Sequence, residues 1–403
     1  YTNENLRNRA LEIINSSWQV RLGIHRKLGE VDKECILLAR DIFHSLRDAE
    51  DYLGDFAYSV RKVYPADLDF QKQPVPIYDR QAYPPYFVRP DLDDPKFNFH
   101  AGDLMLARGV SFTSAIISQI SDNRSHFSHV VFVDVNAKTQ APSTIESYVG
   151  SGVKPYEINF ALKNENARLL VLRPKDTALG ERAAIFANQA ASTRVPYDYA
   201  MNFKDYSALS CVELSIYSYD KASQGTLKLP LYPAQLNLDN RDFLHKMGLK
   251  KGTLVTPDDL ETDPNFDMVL DWKDYRLIRD SRHRDAILSE MMRWMNDLKY
   301  TFHNTFDSVV AEYVVHPTRP TPLWPLVQKL TGAPDIDKEI PEQTLGVMTV
   351  LNQVGNALLV ELRKRDEAYV FRYHRPMTNK QLRDALEGMR RADLKSIHNT
   401  FHP

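Results

Sequence analysis

Four short segments in the middle of the chain carry the apolar and β-branched residues that favour strands, and a helical pattern containing one of the two cysteines follows them. Strands that come first and a cysteine helix that comes last predict an α+β core over residues 98–280. The strand segments are GDLMLA (102–107), SHVVFVDV (128–135), STIESYV (143–149) and RLLVLRP (168–174).

The chain before this core predicts two further units. Residues 1–63 place apolar side chains such as Leu38, Ile42 and Leu46 at helical spacing, which predicts a helical hairpin with one apolar stripe on its second helix. Residues 64–97 are rich in proline, which removes amide donors and blocks helices, so they predict an extended wrapping linker.

The chain after the core, residues 281–403, predicts a helical extension interrupted by a second proline-rich loop. Its most apolar stretch, 345–362, contains Asn352, Gln353 and Asn356, so we expect a buried or amphipathic helix there rather than a membrane span. The basic residues near the end predict a solvated face, with peripheral contact with an anionic membrane as the alternative. Bracing of the core is the expected role of both helical flanks.

Composition excludes several classes of function. The 403 residues carry a formal net charge of −2, which gives no basic surface for nucleic acid. Cys35 and Cys211 are too few for a disulfide framework or a metal-ligand cluster, although they could form one bond, and no cofactor is expected. We expect Cys35 to be a packing residue.

Cys211 is the candidate nucleophile because it lies at the predicted start of a helix. Unpaired amides and the helix dipole favour a thiolate there, and the Cys211 N–H can stabilise an oxyanion. The base should be a rigidly held histidine. His129 directly precedes a buried strand and is the stronger candidate, and His126, in the preceding loop, is the weaker one.

A third group should orient the imidazole. Glu146 lies on the next predicted strand, and strands adjacent in sequence usually pair. A hairpin joining 129–135 to 143–149 would bring Glu146 beside His129. Asp134 and Glu157 are the alternatives, and each of these residues also has an ordinary structural explanation.

The order histidine, glutamate, cysteine resembles the circularly permuted branch of the NlpC/P60 papain-like superfamily, in particular the YiiX/YebB-like cysteine hydrolases. The matching segments span about 98–275. They are HAGDLMLARG, SFTSAIISQI with HFSHVVFV, TIESYVGSGV, VPYDYAMNF with SCVEL, and TPDDLETDPNFDMV. The helical flanks and the proline-rich linker are not part of that core.

This resemblance implies a permuted papain-like fold, in which an antiparallel sheet packs on the cysteine helix. It also implies a thiol hydrolase with Cys211 as nucleophile, His129 as base and Glu146 as orienting residue, while Tyr197 and Tyr199 contact substrate or simply pack. The expected reaction is hydrolysis of an amide, in a cell-wall peptide or an N-acyl group, through a thioester.

Two alternatives stay open. The permuted branch includes relatives of lecithin:retinol acyltransferase, so a lipid acyl hydrolase, phospholipase or acyltransferase is the first. A helical interaction protein with an inert papain-like core is the second. Because the chain begins at Tyr1 without methionine, and because the resemblance is to envelope-acting hydrolases, we expect an extracytoplasmic location, with a cytoplasmic one as the alternative.

Overall fold

The structure is a computed structural model. It describes residues 3–58, 86–88, 97–122, 125–163, 166–237, 244–245, 249, 252–302, 342–392 and 401–403. Most of the proline-rich linker and the whole second proline-rich loop therefore lie outside the described residues.

Within these residues the helices are α1 (Asn3–His25), α2 (Lys33–Tyr58), α3 (Phe112–Gln119), α4 (Ile158–Lys163), α5 (Thr177–Ser192), α6 (Cys211–Ala222), α7 (Pro257–Glu261), α8 (Tyr275–Asp297), α9 (Glu342–Tyr373) and α10 (Asn379–Arg391). The strands are β1 (Tyr86–Val88), β2 (Leu104–Gly109), β3 (His129–Val135), β4 (Pro142–Tyr148), β5 (Gly152–Glu157), β6 (Asn166–Pro174), β7 (Ala234–Gln235), β8 (Thr253–Leu254), β9 (Phe266–Lys273), β10 (Thr301–Phe302) and β11 (Phe401–His402).

Seven strands form one antiparallel sheet in the order β1-β9-β6-β2-β3-β4-β5. The four strands expected from the sequence are confirmed as β2, β3, β4 and β6, whereas β1, β5 and β9 were not predicted. The α+β class is confirmed as well, because helices and an antiparallel sheet make up the described core.

Both faces of the sheet are buried, because β2 and β3 alternate apolar side chains between two separate clusters. Leu106 and Phe132 point to the face that α5 and α6 cover. Met105 and Val131 point to the opposite face, where α4 packs. Period-two alternation with apolar residues on both sides requires helices on both faces, and this holds α6 firmly against the sheet.

The C-terminal helices build a second apolar core with α3. Leu288 and Met291 of α8 pack in one cluster with Val354 and Leu358 of α9 and with Ile116 of α3. α9 is largely buried, in agreement with the expectation for 345–362. α8 runs without a break across residue 280, the predicted boundary between core and extension. Of the helices that the structure describes, none combines the length and the apolarity needed to cross a bilayer.

The helical hairpin is present as α1 and α2, but the first part of the predicted apolar stripe of α2 is exposed, whereas Leu53 and Phe56 further along it pack against the core. Leu38 is 58% exposed and Ile42 is also exposed, whereas Phe43 and the charged residues Arg47 and Glu50 are buried. The hydrophobic pattern failed because the buried face of this helix is largely ionic.

That ionic face belongs to a buried cluster of three cations and three carboxylates from α1, α2, α7 and β9. Its members are Arg21, Arg47, Glu50, Glu261, Asp271 and Lys273. Arg21 Nη2 lies 3.0 Å from Glu50 Oε1 and 2.5 Å from Asp271 Oδ2. Equal numbers of opposite charges compensate the cost of desolvation, so the hairpin is fixed to the sheet by ion pairs as well as by apolar contacts.

Candidate active site

Cys211 is the first residue of α6, and the helix start is defined by a capping box. The Ser210 side chain accepts a hydrogen bond from the Glu213 amide, and Glu213 Oε2 accepts one from the Ser210 amide at 2.8 Å. Cys211 is 7% exposed. Its amide precedes the i→i−4 ladder of the helix, so the N–H is not used by that ladder and is of the kind that stabilises an oxyanion.

His129 and Glu146 are brought together by the β3–β4 hairpin. Phe132 pairs with Ile145, and the same register places His129 opposite Tyr148 and two residues from Glu146. His129 Nε2 lies 3.0 Å from Glu146 Oε2, and Glu146 is fully buried. Thr144, on the same face of β4, donates its hydroxyl to Glu146 Oε1 at 2.8 Å. The carboxylate is therefore held in one orientation toward the imidazole.

Tyr148 supports the imidazole from a second direction. Its ring stacks on His129 with centroids 4.7 Å apart and planes 25° apart. One face of β4 carries Thr144, Glu146 and Tyr148. Glu146 and Tyr148 contact His129 directly, and Thr144 acts on it through Glu146.

The charge state of His129 depends on Cys211. Burial alone lowers the pKa of His129, but the Cys211 charge, its hydrogen bond to the ring, and Glu146 together raise that pKa to about 10. Since Glu146 engages Nε2, Nδ1 is the nitrogen available to the sulfur. The arrangement can hold a thiolate–imidazolium pair, the reactive form of a cysteine nucleophile.

Tyr197 and Tyr199 lie in the loop before α6, with ring centroids 5.0 Å apart. Tyr197 is buried, and its pKa is raised well above the ordinary value by burial and then by the charge of Cys211. Asp198 holds this loop in shape by accepting hydrogen bonds from the amides of Ala200 (2.7 Å) and Asn202 (2.6 Å). The loop therefore places Tyr197 beside the candidate nucleophile.

Glu213 and Asp198 form a buried carboxyl pair beneath the cysteine. Burial raises the pKa of Glu213, the hydrogen bonds from Ser210 oppose this, and the charge and hydrogen bond of Asp198 raise it further, to about 7. Protonation of Glu213 removes the repulsion between the two carboxylates, while Oε2 still accepts the hydrogen bond from the Ser210 amide. Glu213 thus has a structural hydrogen-bonding role at the start of α6.

An apolar cavity of about 80 Å³ shares Tyr197 with the surroundings of Cys211. Val149 also lines it, together with Ile117 of α3 and with Val347 and Leu351 of α9. The C-terminal extension therefore contributes one wall of this cavity.

His126, the weaker candidate base, belongs to a different cluster with His44 and Asp48, whose ligand atoms lie within 4.8 Å of one another. Arg168 Nη1 lies 2.9 Å from His126 Nδ1. An arginine only donates, so Nδ1 accepts, and in the neutral ring Nε2 carries the proton. Burial lowers the pKa of His126 well below its ordinary value. A ring with Nε2 protonated does not coordinate a cation, so the cluster is not arranged as a metal site.

The remaining sequence candidates lie elsewhere. Asp134 accepts a hydrogen bond from Asn188 at 2.9 Å, and Glu157 is exposed and pairs with Ser143 at the far end of the β4–β5 hairpin. Neither contacts His129 in the described geometry. Cys35 is exposed, not packed as expected, and both cysteines are free. Its position in the first turn of α2 leaves the thiol in solvent.

Three supporting residues were not singled out from the sequence. Thr144 and Tyr148 were detectable in principle, because they lie two residues on either side of Glu146 and therefore share its face. Ser210 was detectable through the pattern S-x-x-E that it forms with Glu213.

Comparison with known proteins gives one similar structure. No family model matches the sequence. No curated protein matches it either. The chain is similar to the solved structure described as metalloprotein yiiX from Escherichia coli O157:H7, DUF1105, with 18% sequence identity, 43% of this chain and 97% of that chain covered, and a TM-score of 0.36. At these values the similarity does not assign the chain to a family.

Proposed function

We propose that the chain is a thiol hydrolase with a permuted papain-like core of the YiiX/YebB kind, in which Cys211 is the nucleophile, His129 the base and Glu146 the orienting carboxylate. The observation that carries the proposal is the contact of His129 with Glu146 at 3.0 Å on one side and with Cys211 on the other. A helix N-terminus, a raised histidine pKa and a buried carboxylate are together what nucleophilic catalysis by cysteine requires.

The proposed reaction passes through a thioester. The Cys211 thiolate attacks the carbonyl carbon, and the Cys211 amide stabilises the oxyanion. The carbon–heteroatom bond then breaks as His129 gives its proton to the leaving amine or alcohol. Water, deprotonated by His129, attacks the thioester and releases the acid and the thiol.

The cavity favours an apolar acyl group in the thioester. At roughly 10–15 Å³ for each water-sized group, its 80 Å³ admits a short apolar chain of a few carbons. A polar cell-wall peptide would leave its amides unpaired against Ile117, Val347 and Leu351. We therefore favour an N-acyl amide among the amide substrates, with a lipid ester as the second candidate because the same cavity suits its acyl chain.

The test uses protein in a Cys35→Ser background, because the exposed Cys35 would otherwise react with thiol reagents. This protein and its Cys211→Ala variant are incubated separately with muropeptides, N-hexanoyl amino acids and short-chain phosphatidylcholine, and products are followed by mass spectrometry. We expect free hexanoate, released only when Cys211 is present. Muropeptide cleavage alone would contradict the acyl preference, and lysolipid without amide products would select the second candidate.

The inert alternative has its own outcome in the same samples. If no substrate is cleaved and Cys211 alkylates no faster than a thiol in a small peptide, the hydrolase proposal is wrong. The helical flanks would then be the place to look for function.

Filling the cavity gives an independent check. Met348 is half-buried and lines the cavity, so Met348→Trp should shorten the acyl chain that is accepted, with activity on acetyl substrates retained. If Met348→Trp accepts acyl chains of the same lengths as the starting protein, the cavity does not bind the acyl group.

A further inference from the structure

Three aromatic rings extend from the candidate catalytic histidine toward the surface. Tyr148, which stacks on His129, meets Tyr156 edge-on at 5.8 Å and Phe160 edge-on at 5.9 Å. Tyr156 and Phe160 stack with centroids 4.5 Å apart and planes 12° apart. We call Tyr148, Tyr156 and Phe160 the aromatic wall.

The aromatic wall is partly open to solvent. Phe160 is 46% exposed, and Tyr148 and Tyr156 are half-buried. A single exposed phenylalanine is unremarkable by itself. Here the exposed ring continues a stack that ends on His129, and the wall is therefore continuous with the proposed active site.

The wall and the cysteine helix lie on opposite faces of the sheet. Cys211 belongs to the apolar cluster that includes Val130, on the face covered by α6. Ala161 and Leu162, which follow Phe160 in α4, belong to the cluster of the other face. The acyl cavity adjoins the cysteine through Tyr197, whereas the aromatic wall adjoins the histidine.

These two sides correspond to the two products of thioester chemistry. The acyl group stays bonded to the sulfur, so it must occupy the cysteine side. The leaving group takes its proton from the histidine, so at bond cleavage its heteroatom lies against His129. The rest of the leaving group, which is attached to that heteroatom, then lies against the protein surface beside the imidazole of His129.

We propose that the aromatic wall binds the leaving group and that this group carries a ring with a flat apolar face. The inference rests on the proposed function and names the second half of its substrate. An aromatic ring and the apolar face of a sugar share this chemistry, because both pack flat against Tyr156 or edge-on to Phe160. A small aliphatic alcohol or amine cannot reach both rings.

The test compares hexanoyl esters that differ only in the alcohol: phenol, glucose, n-hexanol and ethanol. We expect Phe160→Ala to lower kcat/KM about threefold to tenfold for the phenyl or the glucosyl ester, as expected for one lost ring contact. The ethyl ester should change less than twofold. Whichever ring ester shows the loss identifies the source of the flat face.

Two further variants control the experiment. Phe371→Ala removes an equally large ring that is 87% exposed near the end of α9, and it should leave all four esters unchanged. Tyr156→Phe keeps the ring and should behave like the starting protein, whereas Tyr156→Ala should follow Phe160→Ala.

Several results would overturn the inference while the proposed function stands. The first is an equal loss of kcat/KM in Phe160→Ala for the ring esters and the ethyl ester. The second is no loss for any ester. The third is a loss for the hexyl ester as large as that for the ring esters. Failure of the proposed function is a separate result, since the starting protein would then cleave none of the four esters.

Discussion

The pKa of His129 is raised by two neighbours, the charged sulfur of Cys211 and the Glu146 carboxylate. Both favour the imidazolium, and together they overcome the burial that would otherwise keep the ring neutral. Thr144 fixes Glu146, and Tyr148 covers one face of the ring. The proposed proton transfer therefore depends on five side chains, of which only His129 and Cys211 would change charge.

Replacing Glu146 by glutamine tests this control. Glu146→Gln keeps a hydrogen-bond acceptor but removes a negative charge, so the pKa of His129 should fall by about 1–2 units. Because the imidazolium is the form lost as pH rises, the alkaline limb of kcat/KM should move from near pH 10 to lower pH. That limb belongs to the Cys–His pair as a unit.

The measurement is a pH–rate profile of both proteins, with Thr144→Val as the control that keeps the charge. The alkaline limb of Thr144→Val should move less from its position in the starting protein than the alkaline limb of Glu146→Gln does. An unmoved limb in Glu146→Gln would show that the carboxylate does not set the charge of His129.

The pairing of the site residues could be predicted from the sequence, because it depends on local rules. A buried strand begins at His129, the next strand carries Glu146, and a hairpin brings the two together. The carboxyl pair of Glu213 and Asp198 could not be predicted, because it depends on how the loop before α6 folds back on the helix.

At the scale of single elements, the N-terminus of α6 combines the candidate nucleophile with a titrating cap. Glu213 closes the capping box, and its pKa is raised from 4.5 to about 7. A carboxyl whose pKa rises on folding stabilises the protein fully below the unfolded value, near 4.5. This contribution is lost as pH rises through about 7.

Glu213→Gln should remove this pH dependence. Glutamine can accept from the Ser210 amide and carries no charge beside Asp198 at any pH, so the variant should gain stability relative to the starting protein as pH rises from 5 to 8. The gain should reach about 3 kcal/mol at most, from about 1.4 kcal/mol per pKa unit. Denaturant unfolding at both pH values measures it, and a gain that is equal at pH 5 and pH 8 would contradict the role of Glu213.

The α2 helix shows where pattern analysis of an element fails. Apolar spacing placed Leu38 and Ile42 on the buried side, yet both are exposed. The buried side contains Arg47 and Glu50, whose partners come from α1, α7 and β9. The spacing of apolar residues predicts which side of a helix is buried. It cannot identify charged residues that are buried because charges from distant segments neutralise them.

At the scale of the whole molecule, the flanking helices are fixed to the sheet in two different ways. The N-terminal hairpin uses the buried ion cluster around Arg47 and Asp271. The C-terminal helices use an apolar core with α3, and they add Val347 and Leu351 to the cavity beside the candidate active site. Bracing was the role expected of both flanks, and the cavity gives the C-terminal one a proposed part in substrate binding.

Breaking the ion cluster should destabilise the whole protein. Arg47→Met leaves Glu261 and Asp271 with less compensation in a buried site, so unfolding free energy should fall by about 3–5 kcal/mol. Arg9→Met removes an exposed i,i+3 pair with Glu12 on α1 and should cost no more than about 0.5 kcal/mol. Urea unfolding measures the free energy of unfolding of both variants. A similar small decrease in both would mean that the ion cluster does not hold the N-terminal hairpin on the sheet.

Trapping the acyl-enzyme tests whether Cys211 is a nucleophile that His129 activates. Cys35→Ser protein is mixed with p-nitrophenyl hexanoate, quenched in acid within the first turnover, and its intact mass and peptides are measured, with His129→Ala in parallel. We expect one hexanoyl group on Cys211 of the Cys35→Ser protein and almost none on Cys211 of the His129→Ala variant. No adduct on Cys211, or an equal adduct in both proteins, would contradict this expectation.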